Sequence, residues 1–288
     1  MYLDFYKFRE FPFAISCDAR LFYESKVHTE ALANMLYTVQ HRKGMVLVTG
    51  DVGAGKTFVG NMLATRLGPG CLSVVMRNPP TSGKQLLRAV ATGVGMNVRT
   101  SADKLMLIEE LEQYLIRLNT RGRLVALILD ESQDLPAASL EEIRLLWNWE
   151  QNGQRLVQIV LMGQPELRDR LQEPRWEPLR QRIVLSYHLG HLGGEDTAAY
   201  IDHRISVVAA EGCRIEFTPE AKADIHAATD GTPRLINVLC DNALLIGYTR
   251  ETQRIDRFII ASVLQQMTCW GLRVSDENLA EEHSPVVG

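Results

Sequence analysis

The octapeptide Gly50-Asp51-Val52-Gly53-Ala54-Gly55-Lys56-Thr57 directly follows the apolar run Met45 to Thr49 and opens a stretch of helical periodicity. A chain with this pattern must place a strand, a tight loop and a helix in succession. The glycines let the backbone turn sharply enough to aim several amide N–H groups at one anion, at the positive end of the helix that starts near Gly55. Lys56 adds a point charge and Thr57 a hydroxyl suited to Mg²⁺, which completes the pattern G-x-x-x-x-G-K-[ST] in its strand–loop–helix setting. Residues Gly50 to Thr57, with Phe58 next to them, are therefore read as the binding site for the phosphates of a nucleoside triphosphate with Mg²⁺.

Length and composition set wider bounds. A chain of 288 residues, 46% of them hydrophobic, can bury a sizeable core, and two domains are expected. A formal net charge of −4 excludes whole-chain electrostatic attraction to nucleic acid or anionic lipid and leaves only local basic patches for that role. The five cysteines, Cys17, Cys71, Cys213, Cys240 and Cys269, lack C-x-x-C spacing and are read as reduced thiols. No apolar run reaches the roughly 20 residues that cross a bilayer, and Met1 to Glu10 is too charged and aromatic for a signal peptide. A cytoplasmic location is expected.

Apolar runs at Met45 to Thr49, Ser73 to Met76, Leu124 to Leu129, Val157 to Met162 and Val184 to Tyr187 alternate with amphipathic stretches. Short, nearly unbroken apolar strands suit a parallel sheet covered on both faces. Between them, Ser139 to Glu150 carries Leu140, Ile143, Leu146 and Trp147 at helical spacing, with Trp149 off that stripe and partly exposed. Beyond Gly193-Gly194 only helices are expected, from Glu195 to Ala210, Thr218 to Thr229, Pro233 to Tyr248 and Asp256 to Met267. Thr218-Pro219 supplies a capping hydroxyl and a first-turn proline. The expectation is an α/β fold: a three-layer αβα nucleotide-binding domain over residues 1–190, an α-helical lid domain over 191–268, and a polar tail, read as disordered, over 269–288.

A second chemical motif ends the third strand, where Leu124 to Leu129 runs into Asp130-Glu131, a Walker B sequence. An aspartate at the carboxyl end of a buried strand beside the phosphate loop can hold Mg²⁺ through its waters. The glutamate that follows can polarise the attacking water. Asp130 and Thr57 are the expected metal residues, and Glu131 the expected base.

The order of Walker A, Asp130-Glu131-Ser132-Gln133-Asp134-Leu135, Gly163-Gln164-Pro165-Glu166-Leu167 and Leu179-Arg180-Gln181-Arg182-Ile183 resembles the AAA+ ATPases of the ExeA/GspA group. The resemblance extends to Phe11-Pro12-Phe13 and Phe22-Tyr23 near the start and to Gly231-Thr232-Pro233-Arg234-Leu235-Ile236-Asn237, and covers about residues 1 to 268. In length the chain is similar to the stand-alone MshM-type ATPases of pilus biogenesis. No counterpart is expected here for the membrane span and peptidoglycan-binding region that follow the ATPase in ExeA, so cell-wall binding is not carried over from the resemblance.

The resemblance implies a role for each matching residue. Gln164 falls at the sensor 1 position, where a polar side chain touches the γ-phosphate or the lytic water. Arg180 and Arg182, with Arg182 preferred, fall where an arginine finger reaches into a neighbouring subunit, so a homo-oligomeric ring or filament is implied. Arg234 falls at the sensor 2 position, with Gly231 and Pro233 setting the entry to its helix. Phe11 to Phe13 and His28 resemble the part bordering the adenine, although a surface role suits His28 better. Departures are mild: Cys17 and Ala19 replace common prolines, Phe58 a small polar residue and Ser132 an alanine.

An active ATPase is expected, and three uses of its turnover are open. The resemblance favours an assembly ATPase for a type II secretion or type IV pilus-like machine, held near the inner membrane through a partner. A transposition regulator on duplex DNA, similar to TniB, TnsC or MuB, would use aligned cations, for which Arg117, Arg121, Arg123, Lys84 and Arg88 are the candidates. A slowly hydrolysing, nucleotide-switched adaptor is the third.

Overall fold

The computed structural model describes residues 2–16, 18–78 and 80–268. In chain order the elements are α1 (Tyr2–Tyr6), α2 (Lys26–Gln40), β1 (Met45–Gly50), α3 (Lys56–Arg66), β2 (Cys71–Met76), α4 (Gly83–Gly93), α5 (Lys104–Thr120), β3 (Leu124–Leu129) and α6 (Ala137–Trp147). There follow β4 (Glu150–Gln151), β5 (Gln154–Arg155), β6 (Gln158–Gly163), α7 (Pro165–Gln172), α8 (Glu177–Arg180), β7 (Ile183–Leu189), α9 (Gly194–Val208), β8 (Glu216–Phe217), α10 (Pro219–Thr229), α11 (Pro233–Thr249), β9 (Arg254–Ile255) and α12 (Arg257–Thr268). The chain divides into two units, one over residues 26–190 and one in which residues up to 25 join those from 191 onward.

In the first unit five parallel strands lie in the order β2-β3-β6-β1-β7. The three inner strands are apolar on both faces and almost wholly buried, as a sheet covered on both sides requires, whereas β7 at the edge alternates. Alternate residues serve opposite faces. On one face Val125, Leu127, Leu129, Ile159 and Leu161 join Leu86, Leu107, Leu111, Leu140 and Ile143 of α4, α5 and α6 in a single core. On the other, Gly60 of α3 lies against Met162 and Ile128. These layers form the three-layer αβα arrangement. Because β6 is inserted between β1 and β3, with Thr49 opposite Gly163 and Leu129 opposite Leu161, the carboxyl ends of the three strands open side by side. Ligands of such sheets bind there, where the strand order reverses.

The second unit is mainly helical. Thr218 caps α10 by accepting from the Ala221 amide at 3.2 Å, ahead of Pro219 in the first turn. A two-residue parallel ladder joins β8 to β9, which helical periodicity did not suggest.

The aromatic start of the chain belongs to this unit and not, as its place in the sequence suggested, to the nucleotide-binding domain. Tyr6 Oη donates to the carbonyls of Leu244 and Thr252, at 3.0 and 3.2 Å. The buried Arg204 donates to Pro12 O at 2.6 Å and to Ala14 O at 2.7 Å. Phe13, expected at the adenine, is buried edge-on against Phe217. Cys71, Cys213 and Cys240 are free thiols, two of them buried. Cys17, Cys269 and the tail over 269–288 lie outside the described residues. No helix among the described residues is long and apolar enough to cross a membrane.

Candidate active site

The phosphate loop leaves β1 at Gly50 and enters α3 at Lys56. Gly53 and Gly55 take φ values of 88° and 96°, in the left-handed region that side chains disfavour. The first-turn amides of α3 have no acceptor within their own helix and point out of its N-terminus. Lys56 is only 6% exposed, and its ammonium donates to Gly50 O at 2.7 Å and Asp51 O at 2.9 Å. Burial lowers its pKa, while Glu131, Asp130, Asp51 and Glu166 oppose that shift through their charge. The cation therefore sits where nearby anionic charge stabilises it, as a phosphate would.

Asp130 follows β3 and is 3% exposed. Thr57 Oγ1 donates to Asp130 Oδ2 at 2.5 Å, and the Glu131 amide donates to Asp130 Oδ1 at 3.0 Å. Burial raises the Asp130 carboxyl above the usual carboxylate range, and the hydrogen bonds offset part of that rise. A hydroxyl and a carboxylate side by side form an oxygen-only donor set of the kind that suits Mg²⁺, which takes one or two protein ligands alongside phosphate oxygens and water. Among the described residues no group of three or more His, Cys, Asp or Glu could hold a metal by itself.

Glu131 adopts a left-handed backbone, φ 49° and ψ 39°, at the head of the 3-10 turn Ser132–Asp134. Its neighbour Ser132, in place of the common alanine, is buried and donates to Leu129 O at 2.9 Å, fastening the turn to the strand it leaves. Gln164 follows β6, and its backbone N–H donates to the side-chain Oε1 of Gln133 at 3.1 Å. The same Gln133 amide donates from Nε2 to Glu131 Oε2 at 2.8 Å. Lys56, Thr57, Asp130, Glu131 and Gln164 thus converge at the ends of three adjacent strands.

Two of the remaining residues depart from expectation. His28, read as a surface residue, is buried beneath the loop with Nε2 3.1 Å from Ala54 O. A Cβ on Gly55 would lie 2.9 Å from that nitrogen, so this glycine is needed for close approach as well as for its φ. The signal was present: His28 stands on the same helical stripe as Ala31, Leu32, Met35 and Val39, all buried. Arg182 is held within its own unit. It donates to Asn148 Oδ1 at 3.3 Å and to Pro178 O, and its guanidinium lies 5.4 Å from the centroid of Trp147, which also carries Arg155 at 4.1 Å. Arg180 is exposed, bonded to Gln172 O at 3.1 Å.

Arg234 lies in the other unit, exposed in the first turn of α11. Of the cations considered for DNA, Arg88 donates to the carbonyls of Arg99 and Thr100, and Arg117 lies over the Tyr114 ring. Lys84 starts α4, and Arg121 and Arg123 flank the turn after α5.

Residues 39–171 match a family model described as an AAA domain. The chain is similar to general secretion pathway protein A of Aeromonas hydrophila, 36% identical over 256 residues, which are 88% of this chain and 46% of that protein. It therefore spans about half the length of the curated relative it matches. Among solved structures it resembles the ADP form of the Aeropyrum pernix ORC2 protein, with a TM-score of 0.69 at 15% identity, over 90% of this chain and 73% of that one. It also resembles the RuvB Holliday junction branch migration motor of Thermotoga maritima, with a TM-score of 0.55 at 18% identity, over 89% and 73% of the two chains. At these identities the likeness to the solved structures shows a shared fold.

Proposed function

We propose that this chain, which is similar to the ExeA/GspA group of AAA+ proteins, hydrolyses ATP at the ends of β1, β3 and β6 and couples that turnover to assembly of a secretion or pilus-like machine. The observation that carries it is the convergence there of Lys56, the Thr57–Asp130 pair and Glu131. Lys56 and the loop amides bind the β- and γ-phosphates. Thr57 and Asp130 would hold Mg²⁺, which supplies neutralisation of the charge that develops on the phosphoryl group. Glu131 orients a water and accepts its proton as the water oxygen bonds to the γ-phosphorus. The bond from that phosphorus to the bridging oxygen breaks, and its electron pair leaves with ADP. Gln164 supports the water or the γ-phosphate.

The exposure of Arg180 and the intramolecular bonds of Arg182 favour Arg180 as a finger for a neighbouring subunit, with Arg182 holding Trp147 and Asn148. Such a finger makes turnover depend on self-association. We place this activity in the cytoplasm, near the inner membrane through a partner.

The test is phosphate release per protomer across a range of protein concentrations, with and without duplex DNA at low and physiological salt. A rate that climbs with concentration and ignores DNA supports the proposal. Salt-sensitive stimulation by DNA would turn the assignment to a DNA-bound regulator. No turnover at any concentration would overturn the hydrolase reading.

A further inference from the structure

Gln133 lies two residues beyond Glu131 and reaches in two directions at once. Its Nε2 donates to Glu131 Oε2 at 2.8 Å and to Asp134 Oδ2 at 3.2 Å, while its Oε1 accepts the Gln164 N–H at 3.1 Å. A side-chain amide suits this placement because it offers a donor and an acceptor in one plane, pointing in different directions from the same carbon. The surroundings hold it there. A Cβ on Gly163 would lie 2.7 Å from Gln133 Oε1, so β6 ends in the residue that leaves room for the amide. From α7, Arg170 Nη1 donates to the carbonyls of Gln133 and Leu135, at 3.1 and 2.5 Å, and fixes the turn from behind.

We propose that Gln133 is a positioning residue for hydrolysis, pinning the Glu131 carboxylate with one arm and the strand end that carries Gln164 with the other. The inference rests on Glu131 being the base. With Oε2 held by Gln133, Oε1 is the oxygen left to accept the proton of the water. Glu131 also keeps a left-handed backbone that a non-glycine residue retains only when its neighbours over-determine it, and the Gln133 bond is one of those determinants. The base and the sensor position then shift together when either is displaced.

The test compares kcat, KM and binding of a fluorescent ATP analogue for the full-length protein and its Gln133→Met, Gln133→Glu and Glu131→Gln variants, and for Gln133→Met combined with Glu131→Gln. Methionine keeps the length of glutamine without either polar arm. Glutamate keeps an acceptor for the Gln164 N–H but has no N–H for Glu131. Both are expected to lower kcat by about 10- to 100-fold, within the range of a misplaced general base, with KM and analogue affinity changed less than about 3-fold. In the Glu131→Gln background Gln133→Met should cost nothing further, because the two act as one unit. Wild-type kcat in Gln133→Glu would overturn the proposal, as would losses that simply multiply in the double variant. Should Gln133→Met fail to fold, as judged by circular dichroism melting, Gln133→Glu carries the test alone. A Glu131→Gln protein that still turns over removes the base reading itself, an outcome separate from failure at Gln133.

Discussion

The Thr57 hydroxyl donates to the Asp130 carboxylate at 2.5 Å, joining the phosphate loop after β1 to the acidic motif after β3 across the intervening strand β6. This bond sets two oxygens side by side where a cation can be shared with phosphate. It also stabilises a carboxylate whose burial is otherwise unfavourable.

Asp130→Asn should therefore give a more stable protein with no turnover. Burial raises the folded-state pKa of Asp130, so its contribution to stability is present below the unfolded value and is lost as pH rises through the folded one. An asparagine does not titrate. In nucleotide-free thermal melts, the variant's advantage should grow as pH rises above the ordinary aspartate range. A difference that is flat with pH, or that shrinks as pH rises, contradicts this account.

His28 should control the shape of the phosphate loop. A carbonyl only accepts, so the ring nitrogen facing Ala54 O is the donor. His28→Ala leaves that carbonyl without this partner, a cost of about 1–3 kcal/mol, and should weaken binding of a fluorescent ATP analogue by about 10-fold. Gly55→Ala should do at least as much harm, through both the ring and the φ of 96°. Unchanged affinity in His28→Ala would reduce the histidine to core packing.

The two arginines before β7 should separate cleanly. Arg180→Ala protein mixed with Glu131→Gln protein should regain phosphate release through mixed interfaces, because each supplies what the other lacks. Arg182→Ala should instead lower stability by about 1 kcal/mol in denaturant melts, through the lost contact with Trp147. Rescue by Arg182→Ala and none by Arg180→Ala would reverse the assignment.

Gly231 should be irreplaceable within its own unit. Its φ is 65°, and a Cβ would lie 1.9 Å from Leu192 O, while Gly231 O accepts the Leu192 amide at 3.0 Å. Gly231→Ala should cost about 3 kcal/mol or more, read from thermal unfolding, since backbone would have to move. A melting temperature within about 1 °C of wild type contradicts the packing described.

Much of this was legible in the chain before folding. The three inner sheet strands emerged from continuous apolar runs because parallel strands buried on both faces need them. Lys56, Thr57, Asp130 and Glu131 stand out as candidates in the sequence because local patterns encode a loop and a strand end. What stayed hidden depends on partners far apart in sequence. Gln133 had no legible role of its own until β6 brought Gln164 to it, and Tyr6 gave no sign of the Leu244 carbonyl. The hairpin of β4 and β5 was missed for another reason: Asn152-Gly153 is a turn signal, but strands of two residues show no periodicity. Arg155, which that hairpin brings over Trp147, was missed with it.

The most direct measurement of the central claim is phosphate release by wild-type and Glu131→Gln proteins at equal occupancy by ATP and Mg²⁺. The account predicts that both bind nucleotide alike and that the variant turns over at least about 100-fold more slowly. Equal turnover by the two proteins would contradict it, since Glu131 could not then be the base at the end of β3.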